Sequence, residues 1–301
     1  MSSLSSGALT YRGVSFLFGD GTPYPLTGFQ RGVSSYRVED RELPRGDGRA
    51  FGRDYKSGPT HELSLLLQGE GASRSVREYD VKAQLGRLAG LWSADTLRAT
   101  GGELAQLMIG DRATFGRPRE FTPDDGGIWD GVAQPTLQFV AANDLWYGAE
   151  EQTQIRFTIA AGGGLRFPAR EPFRFTSEGP TRNAAVVVGG DVATWPVFEI
   201  HGPVTNPEIE VQGVGRLQFR ANLPYDKFIR VDTRPWARWV QTGFKNNPEV
   251  LSPIPGVLSP SGARLSDMAL RPGSYTVLLR GFDSTGTAEM RTSVWPAYTS
   301  F

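Results

Sequence analysis

Two histidines, His61 and His201, are the only imidazoles in the chain, and cysteine is absent. A Ser-His-Asp triad needs one of these two as its base. Neither lies in a nucleophile-elbow sequence, and both fall on segments that read as strands, where such side chains pack or find a hydrogen bond. Without cysteine, disulfide scaffolds, thiolate zinc sites and Cys nucleophiles are excluded, and two histidines are too few for a multi-histidine metal cage. Paired carboxylates are the remaining route to hydrolysis, and Asp191, Glu199 and Glu210 are the candidates for a glycosidase dyad. They read equally as acidic residues on the outward faces of antiparallel strands, the ordinary case. Asp124, Asp125 and Asp144 offer oxygen ligands for calcium. They lack the dense alternation of an EF-hand loop and read as turn residues.

Three further patterns carry less. Arg45-Gly46-Asp47 is the tripeptide that some adhesion ligands present on a loop, and it arises easily by chance in a stretch rich in Arg and Gly. Gly162-Gly163-Gly164 lacks the Lys and Ser/Thr of a phosphate loop and reads as a flexible turn. Seven Trp and nine Tyr could furnish a sugar platform, with Trp195, Trp236, Trp239 and Trp295 the candidates, but such rings are more often core or interface residues. The sequence therefore assigns no catalytic residue, no cofactor and no metal.

Composition sets the frame that any such residues would need. At 301 residues and 39% hydrophobic content the chain can build two ordinary domains or one large β domain. Lys plus Arg equals Asp plus Glu at 32 each, which leaves no basic excess for phosphates and argues against tight nucleic-acid binding. Only Lys56, Lys82, Lys227 and Lys245 are lysines, a bias that reflects a GC-rich genome. With 37 Gly and 21 Pro, turns are frequent and a β-rich fold is favoured. Residues 1–7 lack the pattern of a secretory signal, and no apolar run approaches the ~20 residues of a membrane span.

Hydrophobic periodicity then divides the chain. Residues 9–18 read as a first strand and 36–39 as a second. Residues 39–59 are dense in charge and Gly, with too few apolar side chains for a core of their own, and read as a long loop or arm where a partner is expected. His61, Leu63, Leu65 and Leu67 alternate with polar residues as a half-buried strand. Val81, Leu85, Leu88 and Trp92 share one face of a helix, the only one in this reading, with Ser75 and Glu78 as its capping box. Residues 103–109 and 113–117 form a hairpin about Gly110-Asp111, and Leu137 and Phe139 continue the sheet. A boundary falls at 148/149. Strands at 154–159, 184–188, 195–201, 208–211, 216–221, 227–232, 274–282 and 287–295 then give a β-sandwich, the last two as a terminal hairpin, with 243–262 as a surface loop.

Two stretches stand out together. They are Leu43-Pro-Arg-Gly-Asp-Gly through Phe51-Gly-Arg-Asp-Tyr55, and Asn143-Asp-Leu-Trp-Tyr-Gly148 followed by Trp195-Pro-Val-Phe-Glu-Ile-His-Gly-Pro-Val-Thr-Asn-Pro207. With these in order, the chain resembles the distal tail protein family of long, non-contractile-tailed bacteriophages, labelled minor tail protein in phages of actinobacteria. The resemblance implies a β-rich N-terminal belt domain with one helix over 1–148 and a galectin-like β-sandwich over 149–301. It implies a structural, non-enzymatic virion protein whose belt domains form a hexameric ring joining the tail tube to the tip or baseplate. Tape-measure protein and DNA would pass through without specific DNA binding, tip and receptor-binding proteins would attach, and no membrane would be entered. A charged arm unable to bury itself is suited to clasping a neighbour in such a ring. The residues expected there are Arg37, Asp40, Arg41, Arg45, Asp47, Phe51, Arg53, Asp54 and Tyr55. The competing expectation is a carbohydrate-binding sandwich that recognises cell-wall glycans.

Overall fold

The structure, a computed structural model, describes residues 6–124, 126–156, 182–283 and 285–301. It is mainly β and divides into two compact units, Met1–Ala149 with Tyr298–Phe301, and Glu150–Ala297. The glycine turn expected at 162–164, Asp125, and the end of the strand expected at 154–159 lie outside the described residues.

In the first unit one antiparallel sheet runs, in spatial order, Val14–Gly19, Ser6–Tyr11, Ala105–Ile109, Arg112–Thr122, Thr136–Ala141, Thr60–Leu65 and Leu26–Gln30. Alternation along these strands sends Leu9, Phe16, Leu63, Leu65, Leu107 and Phe139 into one buried cluster. The helix Arg74–Ser93 supplies Val81, Leu88 and Trp92 to the same cluster. Two long-range hydrogen bonds fasten it there. Trp92 Nε1 donates to the Glu120 carbonyl at 3.1 Å, and the Tyr11 hydroxyl to the Leu91 carbonyl at 2.8 Å. Gly86 and Gly90 lie on the exposed side of the helix, so docking offsets the propensity of about 1 kcal/mol that each forfeits.

Local chemistry corrects two expectations in this unit. Residues 9–18 form two strands, not one, because Arg12 and Gly13 take φ of 42° and 75° in a tight hairpin turn. The Arg12 side chain pairs with Glu103 and donates to the Thr100 hydroxyl at 2.7 Å. The helix starts two residues before the expected capping box: Ser73, not Ser75, is the cap, its Oγ accepting the Val76 N–H at 3.3 Å. A single turn, Asp95–Arg98, follows the helix from Ala94 at φ 44°.

The second unit is a sandwich. One sheet runs Glu151–Arg156, Glu289–Val294, Val197–His201, Lys227–Asp232, Trp239–Phe244 and Asn247–Pro253. The other runs Asn183–Val188, Gly273–Phe282, Val204–Val211 and Gly215–Gln218, with Asn222–Leu223 beside Val204–Val211. Phe198, Ile200, Val231 and Met290 from the first meet Val186, Ile209, Val211 and Leu279 from the second in one core.

Two expectations fail in the second unit. The stretch 243–262 is not only a loop, because Asn247–Pro253 pairs with Trp239–Phe244 at the sheet edge. Pro248 and Pro253, which argue against a central strand, are tolerated where one side needs no partner. The strands around Asp283 are not a hairpin either, for Gly273–Phe282 and Glu289–Val294 belong to opposite sheets. Asp283 turns this corner, its carboxylate accepting the N–H groups of Thr285 and Ala288, each at 2.8 Å, and the Thr285 hydroxyl at 2.7 Å. Burial works to raise its pKa, but those donors together hold the carboxyl below its ordinary value.

Candidate functional site

The strands Leu26–Gln30 and Thr60–Leu65 pair with each other at the sheet edge, and the chain between them carries an exposed arm before returning through the buried Pro59. The segment expected as a loop over 39–59 is a two-legged hairpin that leaves the body before residue 36. Tyr36–Arg37 pairs with Tyr55–Lys56, and Arg41–Glu42 with Arg49–Ala50. The second strand expected, at 36–39, shrinks to the two residues of that first ladder. All of residues 41–57 are exposed. Phe51 is 85% exposed, Tyr36 62% and Val38 54%, so the arm carries large apolar side chains with nothing of its own to cover them.

Its charges are partly matched internally. The guanidinium groups of Arg37 and Arg53 lie over the Tyr55 ring at 4.9 and 5.2 Å from its centroid. Asp40 accepts the Gly52 N–H at 3.1 Å and stands 3.6 Å from Arg49, so the two legs are pinned across the hairpin. Arg49 was not among the residues expected from sequence, and its place opposite Glu42 follows only from the register of the legs. Arg41 is exposed on its ladder and Asp54 on the returning leg, while Arg45 and Asp47 lie in the tip closed by the Leu43 N–H donating to the Gly48 carbonyl at 3.2 Å.

Sequence reasoning missed the root of the arm, because its residues are scattered along the chain. The Gly32 N–H donates to His61 Nδ1 at 3.2 Å, and Arg31 Nη2 to the Thr299 carbonyl at 2.8 Å. Ser35 and Ser57 bridge the legs, with the Ser57 N–H donating to the Ser35 carbonyl at 2.9 Å, and Lys56 pairs with Asp144. Beneath them His61 packs 5.1 Å from Trp146 and 5.8 Å from Phe29. Burial, reinforced by Arg31, lowers the His61 pKa to about 4, so the ring is neutral near pH 7 and Nδ1 is free to accept.

The other candidates are not assembled into a site. Glu199 lies on the sheet opposite to that of Glu210, and Asp191 lies on neither of their strands. Glu199 stands 3.7 Å from His201 and 3.8 Å from Arg230. The His201 imidazole, aided by Arg230 and Arg291, holds its carboxyl below the ordinary value against the opposing effect of burial. Glu210 is held by Arg280 at 2.6 Å. These are cross-strand charge ladders. Asp124 accepts the N–H of Gly126 at 3.0 Å, as a turn residue does, and no cluster of three metal-ligating side chains occurs among the described residues. Trp195, Trp236, Trp239 and Trp295 are all half-buried, with the Arg234 guanidinium over Trp236 and Trp295 at 5.5 and 5.1 Å. No helix among the described residues is long and apolar enough to cross a membrane.

No family model and no curated protein matches the sequence. Solved structures do match over almost the whole length. SPP1 Dit, described as a paradigm of the hub adsorption apparatus in phages infecting Gram-positive bacteria, superposes with a TM-score of 0.51 at 14% identity, covering 95% of this chain and 98% of its own. A chain of the phage p2 baseplate in its activated conformation with Sr gives 0.57 at 10% identity, covering 96% and 97%. The same baseplate with Ca gives 0.55 at 11% identity and the same coverage. The chain has the fold of phage tail-hub proteins. At these identities the likeness lives in topology and not in side chains.

Proposed function

We propose that this chain is a structural, non-enzymatic virion protein that forms a ring at the distal end of a phage tail, joins the tube to the tip or baseplate, and serves as a hub for host-attachment proteins. The observation that carries the reading is a fold shared along the whole chain with phage hub proteins, combined with an exposed, apolar-bearing arm on the first unit. The first unit is the ring-forming belt, the second a peripheral galectin-like sandwich. A single surface that meets a different surface on the next copy is a head-to-tail contact, which closes into a ring when the rotation permits, here of six copies. The arm supplies one such surface through Arg37, Asp40, Arg41, Arg45, Asp47, Phe51, Arg53, Asp54 and Tyr55. Tape-measure protein and DNA pass through the opening, where a net charge of zero avoids trapping the nucleic acid. The scarcity of lysine fits a GC-rich, actinobacterial host.

The carbohydrate-binding alternative is less supported, because the fold is shared with phage hub proteins and two of the sandwich's Trp rings, Trp236 and Trp295, already carry the Arg234 guanidinium. The test is removal of residues 43–55. Full-length protein is expected to give a species near six times the 32.9 kDa chain mass by light scattering, with a central hole in negative stain. The deletion is expected to give folded monomers. A deletion variant that assembles like the full-length chain refutes the arm's role.

A further inference from the structure

The segment Tyr298–Phe301 belongs to the first unit, although the preceding residues, Glu150–Ala297, build the second. There it touches the root of the arm twice over. The Thr299 carbonyl accepts from Arg31, the residue that follows the strand Leu26–Gln30 and opens the arm. The Phe301 ring meets Trp146 edge-on at 4.8 Å and Phe29 at 6.0 Å, completing the aromatic cluster in which His61 sits. A third contact anchors the segment itself: the Arg112 guanidinium lies 3.4 Å from the Tyr298 ring centroid, on the neighbouring part of the sheet. Without these contacts the outgoing leg would be held at its origin by the Gly32–His61 bond and by the ladder to the return leg. The return leg has its own fixtures. Its Ser57 bonds to Ser35, its Lys56 to Asp144, and the Pro59 carbonyl accepts the Ala141 N–H at 2.9 Å.

We propose that Tyr298–Phe301 is a strap that fixes the direction in which the arm leaves the first unit, acting on the outgoing leg through Arg31 and on its footing through Phe29 and Trp146. The consequence concerns what ring closure requires. The arm has no core, so its angle is set only at the root, and a head-to-tail contact closes a ring only if that angle is held. The strap thus pre-organises the arm before a neighbour arrives, which reduces the ordering cost of the contact. This deepens the ring reading above and rests on it only for its biological consequence. The mechanical claim concerns the isolated subunit.

The absence of cysteine makes the claim directly measurable, since two introduced cysteines carry the only labels. Val33→Cys, 91% exposed near the root, and Gly86→Cys, on the open face of the helix, are spin-labelled in full-length protein kept dilute enough to be monomeric. Pulsed electron spin measurements then report the spread of distances in the parent and in Phe301→Ala and Arg31→Gln. Amide exchange at Gly32 and Ala141 is followed in parallel. The strap predicts a broader distance distribution in both variants and exchange at Gly32 faster by about tenfold. Ala141, whose N–H is bonded to Pro59 of the return leg, should change much less, and Phe301→Tyr should restore the parent values. Unchanged distances and exchange at Gly32 in both variants overturn the strap, whatever the state of assembly. Equal loss of protection at both amides also overturns it, because that is general destabilisation. If rings fail to form at all while the variants still broaden the distribution, the strap stands and the ring reading falls.

Discussion

His61 gives the most quantitative handle on the arm's root. Its ring is buried against Trp146 and Phe29, and its Nδ1 must be unprotonated to accept the Gly32 N–H. In the unfolded chain the imidazole takes its proton near 6.5, whereas in the fold it holds out to about 4. The unfolded state therefore binds the proton first as pH falls. His61 costs nothing above 6.5, drains stability progressively between 6.5 and about 4, and costs no more below that. The gap corresponds to roughly 3 kcal/mol at about 1.4 kcal/mol per pH unit. His61→Gln keeps an acceptor for Gly32 and removes the titration. Urea unfolding of parent and variant, followed by tryptophan fluorescence from pH 7 to pH 4, isolates the effect, because all carboxylates titrate in both and cancel in the difference. The parent should lose about 3 kcal/mol relative to His61→Gln across that range. Parallel pH profiles, or a His61 ring-proton titration centred near 6.5, would refute the reasoning.

Trp92→Ala should cost about 3–5 kcal/mol, seen as a lower unfolding midpoint of the first unit, since it removes the largest side chain joining helix and sheet and the bond to Glu120. Ser73→Ala should cost about 1 kcal/mol and Ser75→Ala much less by the same measurement, the reverse of what the S-x-x-E spacing at Ser75 implies. Phe51→Asp should leave the melting of the isolated subunit unchanged, because the side chain is 85% exposed, and should abolish rings in light scattering.

What could be read in the sequence was whatever had a clean period. The alternation from His61 to Leu67 and the helical face of Val81, Leu88 and Trp92 are each dictated by burial on one side, and both are in the fold. The arm was legible for the opposite reason, as charge and Gly without enough apolar side chains, although its hairpin ladders of two residues each leave no periodic trace. Failures occurred where a local choice was settled by a distant partner. Arg12 takes a positive φ in the two-residue turn between paired strands, and its guanidinium partner there, Glu103, lies far along the chain. The Asp283 corner has the composition of a hairpin turn, and only the sheets decide that the flanking strands part company. At the site, the sequence marks the arm as a charged, exposed segment, whereas Arg31, His61, Trp146 and Phe301 cannot be grouped from it, since contacts spanning much of the chain have no signature in spacing.

In the proposed ring, the arm's energetics favour closed assemblies over pairs. Burying one large apolar side chain contributes about 1.5–3 kcal/mol, so Phe51, Tyr36 and Val38 together offer only several kcal/mol to a neighbour. Bringing two subunits together costs about 4–15 kcal/mol in lost rigid-body freedom, which leaves a single arm contact near break-even. In a ring every subunit gives one arm and receives another, and the final contact forms between partners that are already held. Its cost is small and its gain nearly complete, so open intermediates are disfavoured relative to both monomer and ring. On this account, mass distributions recorded across a concentration series should contain the monomer and the closed species with little between. A ladder of dimers and trimers would mean that the pairwise contact is strong on its own and that surfaces beyond the arm supply most of it.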